Sequence, residues 1–181
     1  MSHPADLLVI AGADVPDDLA PLDPKAGSLV PALLRHAGAL PPAGRDALSA
    51  LIASLPQRPR DAPYPPPRAF ERYPPGPGGL LMRLVRNRNL GWAATAQTFL
   101  LVTGRYWSAA TYGGVGRGTV PLTPDLQSDF AAVLGIPVDR LAATTGVPAA
   151  PPNPAPAWMA ELIWDARRLS AAQLRRLARA G

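Results

Sequence analysis

Residues 108–136 read SAATYGGVGRGTVPLTPDLQSDFAAVLGI and hold the plainest helix signals in the chain. Ser108 is a good N-cap residue, because its side-chain oxygen can accept a hydrogen bond from a free backbone N–H in the first turn. The run Thr123-Pro-Asp125 marks a second start, with a capping threonine, a proline at the first helical position and an acid in the first turn. Gly135 is the expected stop. The stretch therefore predicts two successive helices, the first of them ending near Val115.

Three further segments outside this stretch carry apolar residues at helical spacing. They cover residues 81–89, 92–100 and 137–143, and short connections separate them from their neighbours. Five short helices with brief connections are typical of a small all-α domain. We therefore predict an all-α fold with a five-helix domain over residues 80–147.

The segments on either side of this domain are predicted to be helical or proline-rich. Residues 1–55 hold two short amphipathic stripes and form a small helical N-terminal segment. Prolines are dense in residues 56–79, which we interpret as a semi-rigid linker in polyproline II conformation, although its PPPR motif also suits a proline-reading domain. A second proline-rich spacer covers residues 148–157. Residues 158–181 then form a C-terminal helical hairpin that either docks on the chain's own core or pairs with a second subunit.

Composition excludes several classes of site. The chain has no cysteine and only two histidines, which lie far apart in the sequence, so we expect no metal site and no cysteine nucleophile. Its acids are scattered and no phosphate-cradling loop follows a predicted strand, so we expect neither catalysis nor a cofactor. The longest apolar run near the N-terminus covers only residues 7–12, which predicts no membrane segment and a cytoplasmic protein.

Positive charge is concentrated in residues 80–124 of the predicted domain. Residues 80–124 hold five arginines and no acid, so this block alone accounts for the net charge of +5, while the rest of the chain is neutral in sum. A basic block without acids is typical of a surface that binds a nucleic-acid backbone.

Three runs stand in a fixed order inside the predicted domain: RNLGWAATA (88–96), SAATYGGVGRG (108–118) and LTPDLQSDFAAVLGI (122–136). Together they resemble the lambda-repressor-like helix-turn-helix domain of XRE-type regulators, in actinobacterial style. The resemblance implies a transcriptional regulator, usually dimeric, that places its third helix in the major groove of DNA. It covers residues 80–147, under half of the chain.

The third helix departs from the family in its chemistry. Its exposed positions are expected to be Ala109, Ala110, Gly113 and Gly114, none of which carries a side-chain donor or acceptor. Bases are read in the major groove mainly by such groups. The segment 102–107 also lengthens the connection before this helix, and it either forms a wing or extends the second helix.

These patterns favour a DNA-binding transcriptional regulator with basic phosphate contacts and weak or unusual base readout. The main alternative is a protein-interaction adaptor that keeps the fold without reading DNA. Duplex DNA is the expected partner, in the cytoplasm at the nucleoid, and the N- and C-terminal helices are the candidate surfaces for a homodimer. For two tryptophans, Trp92 and Trp107, core packing and base contact stay open. The candidate DNA-binding residues are Arg83, Arg86, Arg88, Trp92, Arg105, Tyr106, Ser108, Ala109, Ala110, Thr111, Gly114 and Arg117.

Overall fold

The computed structural model describes residues 3–56, 62–148 and 150–179. Within these residues the regular structure is entirely helical, which confirms the all-α prediction. None of these helices is long and apolar enough to cross a membrane. The helices are α1 (Pro4–Ile10), α2 (Val30–Ala39), α3 (Pro42–Ser54), α4 (Pro77–Asn87), α5 (Trp92–Thr103), α6 (Ala109–Arg117), α7 (Pro124–Leu134), α8 (Val138–Thr145), α9 (Ala157–Ala166) and α10 (Ala171–Leu177).

The local start and stop signals act as predicted. The Ser108 hydroxyl accepts a hydrogen bond from the Thr111 backbone N–H at 3.2 Å, and the Thr123 hydroxyl caps α7 in the same way. Gly135 ends α7 in the left-handed conformation, with φ of 67°. These signals depend only on neighbouring residues, so a short stretch of sequence is enough to predict where the helices begin and end.

The segment before α6 resolves into helix followed by loop. Helix α5 continues to Thr103, and Gly104 closes it with φ of 72°. Residues 105–107 then lead into the Ser108 cap without helical structure. The long connection therefore arises partly from a longer second helix and partly from a loop.

One hydrophobic core extends through the part of the chain that the structure describes, from Val9 to Leu177. At its centre the rings of Phe99, Tyr112 and Phe130 meet, with centroid separations of 4.7 to 6.0 Å. Helix α1 packs on α4, α2 packs on α5, and α9 packs on α7. The C-terminal hairpin docks on the chain's own core, and the flanking helices share their core with residues 80–147.

Residues 62–76, which we call the proline strap, lie against the helices instead of acting as a spacer. The Tyr64 hydroxyl donates to the Asn89 side chain at 3.0 Å, and Arg86 donates to the carbonyl of Pro65. Tyr73 lies over α6, where a β-carbon at Gly116 would meet its ring. The spacer interpretation is therefore wrong for these residues, while residues 57–61 of the predicted linker lie outside the described residues. The strap is held by side-chain contacts from residues distant in sequence, which proline content alone cannot reveal.

Candidate nucleic-acid interface

Helix α6 reaches solvent at its first turn and at Arg117, its last residue. Ser108 and Ala110 are exposed, and Ala109 and Thr111 are half-buried. The hydroxyls of Ser108 and Thr111 are 2.9 Å apart, so the cap and the first turn are held together. Four of the predicted site residues are thus brought together at one helix end.

Between these two ends α6 is covered by other parts of the protein, which pack against its glycines. A β-carbon at Gly113 would lie 2.7 Å from the Trp92 ring, and one at Gly116 would lie 2.4 Å from the Tyr73 ring. At Gly114 it would lie 2.5 Å from Val120. The expectation that Gly113 and Gly114 are exposed is wrong, because both are buried and Gly114 offers no surface to DNA. Their missing side chains make room for rings and for the loop after α6.

Trp92 is bound into this cover. Its indole N–H donates to the Tyr73 hydroxyl at 2.7 Å, and its ring meets Phe70 edge-on at a centroid distance of 4.9 Å. Burial raises the pKa of the Tyr73 hydroxyl further above neutral pH. For Trp92 the structure favours packing, since the ring lies on α6 and is half-buried.

Arg117 supplies the charge on this face. Side chains on a helix lean towards its N-terminus, so Arg117 reaches back one turn over Gly113. Its Nη1 atom lies 3.2 Å from the place of a β-carbon at Gly113, and its guanidinium carbon is 5.4 Å from the Trp92 ring centroid. The residue is exposed. A guanidinium group therefore lies beside Gly113, a position that has no side-chain donor or acceptor of its own.

The loop before α6 brings a second arginine and a tyrosine to the surface. Tyr106 is 67% exposed, and the Arg105 side chain is 47% exposed. Arg105 is paired with two acids, with its Nη1 3.5 Å from Asp129 and 3.9 Å from Asp125. Trp107 is half-buried and packs against the core. Of this loop, Tyr106 is the residue most open to a ligand.

Arg88 is not part of any surface, and its prediction as a DNA contact is wrong. Its side chain is fully buried and pairs with the Asp6 carboxylate through hydrogen bonds of 2.6 and 2.8 Å. A further hydrogen bond goes to the Leu134 carbonyl at 2.7 Å, and the guanidinium lies 4.5 Å from the ring centroid of Trp164. The charge of Arg88 is paired with Asp6 in the interior and cannot reach a nucleic acid.

The two arginines of α4, Arg83 and Arg86, lie near the proline strap. Arg86 donates to the Pro65 carbonyl, lies 5.1 Å from the Tyr64 ring centroid and is 3.7 Å from the Glu71 carboxylate. Arg83 is half-buried, and its Nη1 is 3.4 Å from the place of a β-carbon at Gly79. The five arginines of the basic block are therefore dispersed: one is interior, two are at the strap and two are near α6.

Sequence reasoning missed two polar residues beside the α6 surface. Asp129 is fully buried on α7, and burial raises the pKa of its carboxyl group. Asn153, from the second proline-rich segment, donates to Asp129 at 3.0 Å. Asp129 lies on the same face of α7 as apolar residues. An acid at such an inward-facing position was the sequence signal for a buried polar contact.

No cluster of three or more potential metal-ligating acids or histidines occurs among the residues that the structure describes. Comparison of the chain with protein-family models, curated proteins and solved structures found no match.

Proposed function

We propose that this protein binds duplex DNA with the first turn of α6 and with Arg117. The observation that carries the proposal is the exposed turn at Ser108–Thr111 next to the Arg117 guanidinium, which lies over Gly113. In helix-turn-helix proteins the N-terminal residues of the recognition helix contact base edges. We also propose that residues 80–147 form an XRE-type helix-turn-helix domain and that the protein acts in transcription.

The chemistry of this surface suits a limited reading of sequence. The methyl groups of Ala109 and Ala110 can contact thymine methyl groups, and a single arginine can bind guanine with two hydrogen bonds. Each such bidentate contact contributes about 1–3 kcal/mol of discrimination between bases. We therefore propose modest specificity, supplied largely by Arg117.

Affinity would come from phosphate contacts. Ser108 offers a hydroxyl, and Tyr106 offers a second one from an exposed side chain. The backbone N–H groups at the start of α6 add a partial positive charge. Binding of this kind weakens steeply as salt increases, because counterions are released from the DNA.

Fluorescence anisotropy with labelled duplexes across a salt series tests this proposal. Arg117→Ala should weaken binding at least tenfold at low salt, on the order expected when one base-contacting arginine is lost. The charge-matched control is Arg35→Ala, at an exposed arginine on α2, and it should change binding less than twofold. Equal effects of the two variants would show that net charge alone attracts DNA. Absence of binding by the wild-type chain at about 50 mM salt would overturn the proposal.

A second candidate function is a protein-interaction adaptor, and exposed apolar side chains favour it. Leu7 on α1 is 53% exposed and Leu51 on α3 is 47% exposed, both on the flanking helices. A homodimer through these helices would use the same surfaces. Replacing both leucines with serine should abolish partner capture or self-association in sedimentation experiments, while Arg117→Ala should leave it unchanged.

A further inference from the structure

Asp129 is a buried acid whose partners are incomplete. Its side chain is 0% exposed, and one oxygen, Oδ1, accepts a hydrogen bond from Asn153 and lies 3.5 Å from Arg105. The other oxygen, Oδ2, makes no well-aligned hydrogen bond among the described residues. Burial raises the pKa of the carboxyl group, and the Trp107 indole N–H that faces the carboxylate lowers it in part. A buried carboxylate ordinarily requires full pairing, because removal of its charge from water is costly.

The groups that face Asp129 come from several elements. Arg105 and Trp107 come from the loop before α6, Tyr112 from α6 itself, Asn153 from the second proline-rich segment and Asp125 from the preceding turn of α7. The Trp107 indole nitrogen likewise makes no well-aligned hydrogen bond, and the Tyr112 hydroxyl has no hydrogen-bond partner among the described residues. Arg105 is the cation in this set, and it is shared with Asp125 at 3.9 Å.

This arrangement restricts what Arg105 can do. If Arg105 turned towards a phosphate while Asp129 stayed charged, a buried carboxylate would lose its cation, which is strongly unfavourable. The two acids also repel a phosphate that approaches the guanidinium. Arg105 is therefore not an independent phosphate ligand, although half of its side chain is exposed.

We propose that Asp129 restrains Arg105 and withholds it from the DNA backbone, and that neutralising Asp129 releases Arg105 as an additional phosphate contact. The inference rests on the proposed DNA-binding function. It assigns to Asp129 a positioning role, since the carboxyl group acts on DNA binding through Arg105 and touches no DNA itself.

Salt dependence provides a direct test. Each phosphate contact adds about 0.9 to the slope of log K against log salt concentration. Asp129→Asn keeps the shape of the side chain and an acceptor for Asn153, so this variant should steepen the slope by about 0.9. Arg105→Gln should leave the wild-type slope unchanged, and the double variant should return to that slope.

Two outcomes would overturn the restraint. One is an unchanged slope in Asp129→Asn, and the other is a loss of about 0.9 in Arg105→Gln alone, which would show that Arg105 already contacts phosphate in the wild type. Circular dichroism establishes that each variant is folded. If Asp129→Asn does not fold, the slopes of wild type and Arg105→Gln are compared across a series of falling pH, and only the wild type should gain slope as Asp129 becomes protonated. Equal gains in both proteins would also reject the restraint.

A readout without DNA separates this inference from the proposed function. In NMR spectra of the free protein, the Arg105 guanidinium resonances should shift with the midpoint at which the Asp129 carboxyl carbon titrates, and this shift should be absent in Asp129→Asn. Failure of the wild type to bind DNA, together with coupled titration, would reject the proposed function and keep the ion pair. Arg105 resonances that ignore the Asp129 titration would reject the restraint whatever the DNA result.

Discussion

At Gly116 the single hydrogen atom of the side chain faces the Tyr73 ring and the Met82 side chain. A β-carbon there would lie 2.4 Å from the ring and 2.9 Å from Met82 Cγ. Contacts this short require one of the packed elements to move, because protein interiors are dense. Glycine on this face of α6 is therefore a packing requirement, whatever α6 does on its other side.

This requirement predicts opposite results for two glycine-to-alanine changes. Gly116→Ala should lower the free energy of unfolding by about 1–3 kcal/mol through overpacking, less the gain of about 1 kcal/mol in helix propensity. Gly38→Ala is the matched control on α2, where nothing lies within 4 Å of the added carbon, so stability should rise by up to about 1 kcal/mol. Urea unfolding measures both. Equal stabilisation of the two variants would contradict the packing argument.

Asp129 gives a prediction for the pH dependence of stability. Because its pKa is raised in the folded state by burial, the unfolded chain releases this proton more readily than the folded chain. Ionisation of Asp129 therefore reduces stability as pH rises from the unfolded value of about 3.9 through the raised folded value. The free energy of unfolding of wild type, relative to Asp129→Asn, should increase as pH is lowered through that window. A difference that is constant with pH, measured by urea unfolding, would contradict the raised pKa.

On the scale of elements, the proline strap is joined to α5 by a hydrogen bond that a single atom change removes. Tyr73→Phe deletes the acceptor of the Trp92 N–H, which is 2.7 Å from it, and should lower the free energy of unfolding by about 0.5–1.5 kcal/mol. The indole N–H resonance of Trp92 should shift and exchange faster with solvent. Tyr106→Phe removes an exposed hydroxyl and serves as the control, with stability unchanged within about 0.5 kcal/mol. If the two variants had the same free energy of unfolding and the same Trp92 indole resonance, Tyr73 would not be hydrogen-bonded to Trp92.

Which elements could be predicted from the sequence depends on how far apart the interacting residues are. The caps at Ser108 and Thr123 and the stop at Gly135 act on residues within one turn. The sequence therefore predicts both their positions and the backbone groups that they satisfy. The partner of Arg88 is Asp6, which is 82 residues away, and no local pattern links them. A basic residue in an acid-free block therefore looked like surface and proved to be interior.

The candidate site divides in the same way. Its exposed first turn follows from the Ser108 cap, which the sequence identifies. The cover over Gly113 and Gly116 depends on Trp92 and Tyr73, which approach α6 through tertiary packing. The sequence predicts that Gly113 and Gly114 are exposed. It cannot show whether solvent or a neighbouring ring fills the space beside a glycine, so the covering rings could not be predicted.

For the molecule as a whole, a buried polar network connects α1, α4 and α9. Asp6 pairs with Arg88 and accepts a hydrogen bond from Asn87 at 2.8 Å. The Arg167 guanidinium donates to the backbone and the side chain of Asn87 at 2.8 and 2.7 Å. The Trp164 ring stacks on His3 and lies beside both guanidinium groups. Helices α1 and α9 are thereby tied to α4, so the described parts of the molecule should unfold as one unit.

This network makes Asp6 the most informative position for whole-molecule stability. Asp6→Asn leaves the Arg88 guanidinium buried without its counter-charge, which costs about 3–5 kcal/mol. Domains of this size are stabilised by only about 5–15 kcal/mol, so the variant should unfold at much lower urea concentration, in a single transition that circular dichroism and tryptophan fluorescence report together. Asp46→Asn, an exposed acid on α3, is the control and should match the wild type. If Asp6→Asn instead showed separate transitions, with α9 released before the core around Phe99 melts, the flanking helices would be independent of that core and the single-unit description would be wrong.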